Sequence, residues 1–139
     1  MVEIRDYTDS DYEDVKINLE EVGMFNPQLD TRENLRIKIT KNPGSVIVAV
    51  VDNHAIGNAY IVYDGWNAFI FRLVTRKGYR MQGIGSLLMD EAESRLRKKG
   101  AKEVSLFIKE AELEHLERYY TKRGYVHRKG KYQAMYKIL

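Results

Sequence analysis

Apolar side chains along this chain recur with two different periods, and each change of period marks out an element. Tyr12, Val15, Leu19 and Val22 fall on one helical stripe, with Thr8 placed to cap it and Gly23 to close it. Ahead of them, residues 4–7 read as a short strand. Thr31 is placed to cap a second helix reaching about Lys41, with Leu35 and Ile39 inward, before Asn42-Pro43-Gly44 breaks the chain. Residues 24–30 between the two helices read as a loop. Residues 46–51 form a continuous apolar run of β-branched type, which suggests a strand covered on both faces. Strands over residues 55–63 and 68–75, joined through Asp64-Gly65-Trp66-Asn67, complete an antiparallel meander.

Residues 83–99 carry the clearest helical pattern. Ile84, Leu88, Ala92 and Leu96 recur on one face with Leu87 beside them, Glu91 precedes Arg95 and Glu93 precedes Arg97 at helical spacing, and Gly100 is placed to end the helix. Residues 103–108 then read as a buried strand and 111–123 as a helix. Residues 125–128 and 132–138 read as a hairpin around Lys129-Gly130-Lys131. This order predicts an α/β (α+β) fold in a single domain over residues 1–139, near the commonest domain size.

Composition narrows the function more than the fold. Apolar residues make up 44% and charged residues 31%, an ordinary globular balance. The chain has no cysteine, which excludes disulfides, thiolate catalysis and cysteine-ligated zinc. His54, His115 and His127 lack metal-ligand spacing, so no metal is expected. Net charge is +3, from 23 basic and 20 acidic residues in interleaved order, and this argues against a nucleic-acid partner; the basic cluster at Lys122-Arg123 and residues 127–131 reads as a solvated face. Charges at Glu3, Arg5 and Asp6 leave no apolar run for a signal peptide, and no later stretch approaches the roughly 18 apolar residues of a membrane span, so a cytoplasmic protein without a membrane partner is expected.

Candidate chemistry gathers in Arg76-Lys77-Gly78-Tyr79-Arg80-Met81-Gln82-Gly83-Ile84-Gly85-Ser86, a glycine-bearing loop between a strand and the strongest helix. Such a loop aims several backbone N–H groups and the positive end of a helix dipole at one point, which suits a phosphate or pyrophosphate. Gly78 and Gly83 have the separation of a nucleoside-triphosphate loop, yet Ile84 and Gly85 stand where its lysine and hydroxyl residue are needed. A dinucleotide loop needs a further glycine where Leu88 stands, and the meander upstream is the wrong setting for a parallel βαβ unit.

What remains is Arg80-x-x-Gly83-x-Gly85, which resembles the pyrophosphate loop of the GNAT family of N-acetyltransferases: Gln or Arg, x, x, Gly, x, Gly or Ala. Downstream, Tyr120-Thr121-Lys122-Arg123-Gly124-Tyr125 is similar to that family's tyrosine, three residues, glycine, aromatic signature. The motif-level likeness covers about residues 70–127 and the element order covers the whole chain. The resemblance implies the acyl-CoA N-acyltransferase fold, a mixed, mostly antiparallel sheet of about 6–7 strands flanked by about 4 helices. It also implies transfer of an acetyl group from acetyl-CoA to a primary amine on a peptide N-terminus, a lysine or a small molecule. The non-catalytic alternative is an acyl-CoA-binding module of the same fold. A homodimer is compatible with either.

Carried onto this chain, the resemblance has the backbone amides of Met81, Gly83, Ile84, Gly85 and Ser86, with Arg80 and Gln82 beside them, hold the pyrophosphate of coenzyme A. Leu73, Val74 and Thr75 would pair with the pantetheine arm, which requires the fourth and fifth strands to splay. A backbone N–H near Val74 would receive the oxyanion, and Tyr120 would serve as the acid toward the departing thiolate. Many members carry a glutamate on the fourth strand; here that strand offers only Arg72, so deprotonation would fall to water, Asp64, Glu110 or Glu112. Arg72 reads either as a paired structural arginine or as a contact to an acidic substrate group. Leu113 stands where the family often has asparagine. Met24 to Leu29, with Tyr60, Tyr63 and Trp66, would build the acceptor site.

Overall fold

The computed structural model describes residues 1–139 and divides them into two compact units, Met1–Leu106 and Phe107–Leu139. The first unit is built on one sheet of five strands in the order β1-β2-β3-β4-β5: β1 is Glu3–Asp6, β2 Val46–Val51, β3 His54–Tyr63, β4 Ala68–Thr75 and β5 Val104–Ser105. The first four are antiparallel neighbours, and β5 joins β4 in parallel.

Helices α1 (Tyr12–Glu21), α2 (Arg32–Lys41) and α3 (Ile84–Lys98) cover this sheet. Side chains alternate across a strand, so β2 sends Val46, Val48 and Val50 to one face, where they pack with Val15 and Leu19 of α1, Leu35 of α2, and Tyr7, Tyr12 and Tyr60. Ile47 and Ala49, both fully buried, take the other face. That other face receives α3, whose Ile84, Leu88, Met89, Ala92 and Leu96 are buried as the helical period requires. Gly57 of β3 permits the approach: a Cβ there would stand 3.1 Å from the Val74 carbonyl oxygen, 3.2 Å from a Leu88 methyl and 3.4 Å from one of Ile84.

In the second unit a 3-10 turn, Glu110–Glu112, leads into α4, Leu113–Lys122. Tyr120 is its buried residue, in edge-to-face contact with Tyr119 and Tyr125 at centroid distances of 5.0 and 5.6 Å.

Two expectations about strands are corrected. The sheet has five strands rather than 6–7, because the hairpin expected over residues 125–128 and 132–138 is absent. Val126, Met135, Tyr136 and Ile138 are exposed there, so the alternation read in the sequence has no core to fill and no ladder partner. The fifth strand, expected over residues 103–108, shrinks to two residues because its pairing with β4 stops after Phe69↔Ser105.

Candidate functional site

The early end of that pairing shapes the site. β4 runs on past Phe69 to Thr75, and its last four residues, Arg72 to Thr75, have β3 on one edge and no ladder to β5 on the other. A strand with one edge unpaired presents alternating N–H and C=O groups that an extended chain can bond. Leu73, Val74 and Thr75 lie on this stretch, with Val74 buried and the other two half-buried.

Its backbone is irregular as well. Between the pairs Tyr60↔Phe71 and Asn58↔Val74, two residues of β4, Arg72 and Leu73, oppose the single Ala59 of β3. This is a β-bulge, and Arg72 sits in it at φ +55°. A non-glycine residue in that region costs roughly 1–2 kcal/mol, so the surroundings must hold it. Asn58 Nδ2 donates to the Arg72 carbonyl at 2.8 Å, while the Arg72 guanidinium bonds both carboxylate oxygens of Asp30 at 3.2 and 3.0 Å. The structural reading of Arg72 therefore holds, with Asp30 as its partner.

Beyond β4, Arg76 anchors the chain to α1 through Asn18 and Asp14. A 3-10 turn, Lys77–Tyr79, follows, and Arg80 Nε reaches back to the Thr75 carbonyl at 3.3 Å. Met81 and Gly83 have φ of +65° and +77°, which turns the loop sharply into α3. Gly83 caps α3 in the left-handed conformation with no side-chain hydrogen bond, and the first turn of α3 holds no acid. The early amides of a helix have no intrahelical acceptor, and here the N-cap residue makes no side-chain bond and the first turn carries no acid of its own. Arg80, Met81, Gln82 and Gly83 are exposed, Ile84 is buried, and Gly85 and Ser86 are half-buried. One unit thus gathers the loop residues and the unpaired edge of β4, and this arrangement fits a diphosphate with an extended arm.

Tyr120 belongs to the second unit. Burial, reinforced by Tyr119 and opposed by the Arg123 charge, pushes its hydroxyl up to about 12.

A family model described as the acetyltransferase (GNAT) family matches residues 3–125. The chain belongs to the acetyltransferase (GNAT) family. Membership makes it an acetyl-CoA-dependent N-acetyltransferase. An acetyltransferase of Photorhabdus laumondii is 28% identical over 109 residues, covering 78% of this chain and 76% of that one. The solved structure of Ard1 from Thermoplasma volcanium superposes with a TM-score of 0.77 at 25% identity, over 90% of this chain and 82% of that one. PaiA N-acetyltransferase from Thermoplasma acidophilum, solved in complex with coenzyme A, gives a TM-score of 0.73 at 22% identity over 88% of each chain. At that identity the PaiA likeness shows a shared fold.

For this GNAT enzyme the acceptor-side residues divide. Met24 and Phe25 pack against the cluster that holds Tyr60, whose buried hydroxyl lacks a partner and is pushed well above the ordinary tyrosine range by burial and by Asp30. Trp66 is exposed in the β3–β4 turn and outside that cluster. Asp64 lies in the same turn, where it accepts from the Trp66 N–H, about 20 Å along β4 from Val74. It is therefore too far away to take a proton there. Four residues that sequence reasoning passed over hold the bulge and its flank: Asn18, Asp30, Asn58 and Arg76. The available signal was polarity in the wrong place, since Asn58 interrupts an apolar strand and Asn18 sits between Ile17 and Leu19.

Proposed function

We propose that this acetyltransferase binds acetyl-CoA along β4 and α3 and acetylates a primary amine on a peptide N-terminus, a lysine or a small molecule, its two units acting as one N-acetyltransferase domain. The family match runs across the boundary between the units, which supports treating them together. The observation that carries the cofactor assignment is the junction itself: an unpaired strand edge leading into an acid-free, uncapped helix start. Met81, Gly83, Ile84, Gly85 and Ser86 offer backbone N–H groups to the pyrophosphate, with Arg80 and Gln82 alongside. Leu73, Val74 and Thr75 bond the pantetheine arm as a neighbouring strand would.

Acetyl-CoA supplies an acetyl thioester to the attacking amine. A backbone N–H of the β4 bulge stabilises the negative charge that develops on the carbonyl oxygen as the C–N bond forms and the C–S bond breaks. Tyr120 remains protonated throughout the physiological range. Full transfer of its proton to a thiolate of ordinary acidity, near ~8.5, is uphill. Tyr120 therefore acts as a hydrogen-bond donor that steadies the departing thiolate. β4 provides no carboxylate, so the amine's proton goes to solvent or to Glu110 or Glu112, the acceptors that remain once Asp64 is set aside.

Calorimetry with acetyl-CoA, followed by thiol release over a panel of peptides, polyamines and other small amines, tests this reading. Saturable binding with release for at least one amine class is expected. Binding with no release across the panel favours a sensing module, and no binding rejects the site. Tyr120→Phe removes the donor while keeping the ring, so kcat should fall about 10- to 100-fold, the worth of one hydrogen bond to a charged group, with little change in coenzyme A affinity. An unchanged kcat removes Tyr120 from the mechanism.

A further inference from the structure

The structure assigns a positioning role to Asn58, supported by Asn18: together they orient the bulge peptide of β4 so that its N–H faces the thioester. This inference rests on the proposed acetyl-CoA site and adds the residues that set its geometry. Asn58 and Asn18 are both completely buried, a costly place for two primary amides unless their hydrogen bonds are met. Asn58 Nδ2 donates to the Arg72 carbonyl at 2.8 Å, and Asn58 Oδ1 accepts from Asn18 Nδ2 at 3.1 Å. Asn18 Nδ2 also donates to the Ala55 carbonyl at 2.9 Å, and its Oδ1 accepts from Arg76 Nε at 2.8 Å. The relay runs from Arg76, where β4 ends, through α1 and β3, and returns to β4 at the bulge.

The direction of the relay matters. No peptide bond in the chain is cis, and in a planar trans peptide the C=O and N–H of one unit point opposite ways. Asn58 draws the Arg72 carbonyl toward β3, so the N–H of Leu73 in the same peptide unit turns away from β3, toward the edge of β4 that β5 leaves unpaired. Arg72 is held at positive φ to achieve this, and strain at a site of this kind persists only where neighbours over-determine it. A relay that served stability alone would be met equally well by a regular ladder and an apolar pair at these two positions.

The test uses acetyl-CoA labelled with carbon-13 at the carbonyl, bound to the full chain without an acceptor. A hydrogen bond from the Leu73 N–H moves the bound carbonyl resonance downfield of its free value. In Asn58→Ser that displacement should shrink while the dissociation constant for coenzyme A stays within about twofold, because the pyrophosphate is held elsewhere. With an active acceptor, kcat should fall about 10- to 100-fold, short of the roughly 100- to 1,000-fold seen when an oxyanion donor is lost outright, and KM for acetyl-CoA should hold. Should Asn58→Ser fail to fold, Asn18→Ala, which removes the support of the Asn58 amide together with the bonds to the Ala55 carbonyl and Arg76 but leaves the Asn58–Arg72 bond in place, is read in the same way with a smaller loss. A displacement undiminished in the folded variant overturns the assignment, as does a loss of rate matched by a loss of affinity. If acetyl-CoA does not bind the parent chain, the cofactor reading itself has failed.

Discussion

Helix α2 opens with a side chain turned onto its own backbone: Thr31 Oγ1 accepts from the Asn34 N–H at 3.0 Å, and Glu33 adds a negative charge to the first turn. The approach to α1 is closed in a similar way. Asp11 accepts from the Thr8 N–H at 2.8 Å and is gripped by both terminal nitrogens of Arg5; burial alone would raise its carboxyl, but these donors outweigh it and hold it below the usual range. α3 is longer than either, at 15 residues, and opens with a left-handed glycine, no side-chain cap and no acid. Caps and acids at a helix start are each worth up to about 1 kcal/mol; α2 has both, α1 has the acids Glu13 and Asp14 in its first turn without a side-chain cap, and α3 has neither. What it keeps is a set of amides and a dipole end available to an anion from outside the chain. Of these helix starts α2 is closed by cap and charge and α1 by charge, while α3 has neither, as the proposed coenzyme A site requires.

The sharpest way to break that contrast is to give α3 what α2 has. Gly85→Asp places an acid in the first turn, at a position where a Cβ meets only Thr75 Oγ1 at an ordinary 3.9 Å. Replacing a helical glycine and satisfying the dipole should raise stability by roughly 1 kcal/mol. The same carboxylate sits where a diphosphate is proposed, so coenzyme A affinity should fall about 100-fold, close to 2.7 kcal/mol. Opposite signs in melting temperature and calorimetric affinity are the signature of a helix start reserved for a ligand; an unchanged affinity removes α3 from the site.

A smaller effect is expected where α3 meets the sheet. Gly57→Val puts a branched side chain 3.1 Å from the Val74 carbonyl, a backbone atom that cannot give way cheaply. Overpacking of this kind costs about 1–3 kcal/mol, and it pushes the start of α3 off β3, so thermal stability and coenzyme A affinity should fall together. A loss of stability without a loss of affinity would mean that α3 binds its anion independently of its seat on β3.

The regular parts of this contrast were legible before any coordinates. Residues 46–51 and 68–75 form strands and residues 84–98 a helix because hydrophobic period and burial agree there, and Thr31 caps α2 as its place in the chain implies. The loop glycines were legible through the family resemblance. The bulge was not. Positive φ usually falls to glycine, and here it falls to Arg72, whose partner Asp30 is 42 residues away and whose carbonyl is held by an asparagine on another strand. The early end of the β4–β5 ladder was invisible for a related reason, since the chain past Ser105 carries enough apolar residues for a strand, yet the pairing stops at Phe69↔Ser105. The misread hairpin is the converse case, a sequence that alternates suitably but gains no partner.

Thr31→Ala is the gentlest of these changes and the control for the others. It removes the oxygen that receives the Asn34 N–H, a loss of about 1 kcal/mol for a cap of this kind. The Asn34 side chain still donates to the Gln28 and Leu29 carbonyls at 3.1 and 3.0 Å, so the loop before α2 keeps part of its anchorage. Melting temperature should therefore fall modestly while coenzyme A affinity stays within about twofold, because α2 offers the ligand nothing. If affinity instead fell as far as in Gly85→Asp, general loosening of the fold would explain both results and the distinction between a finished and an unfinished helix start would lose its support.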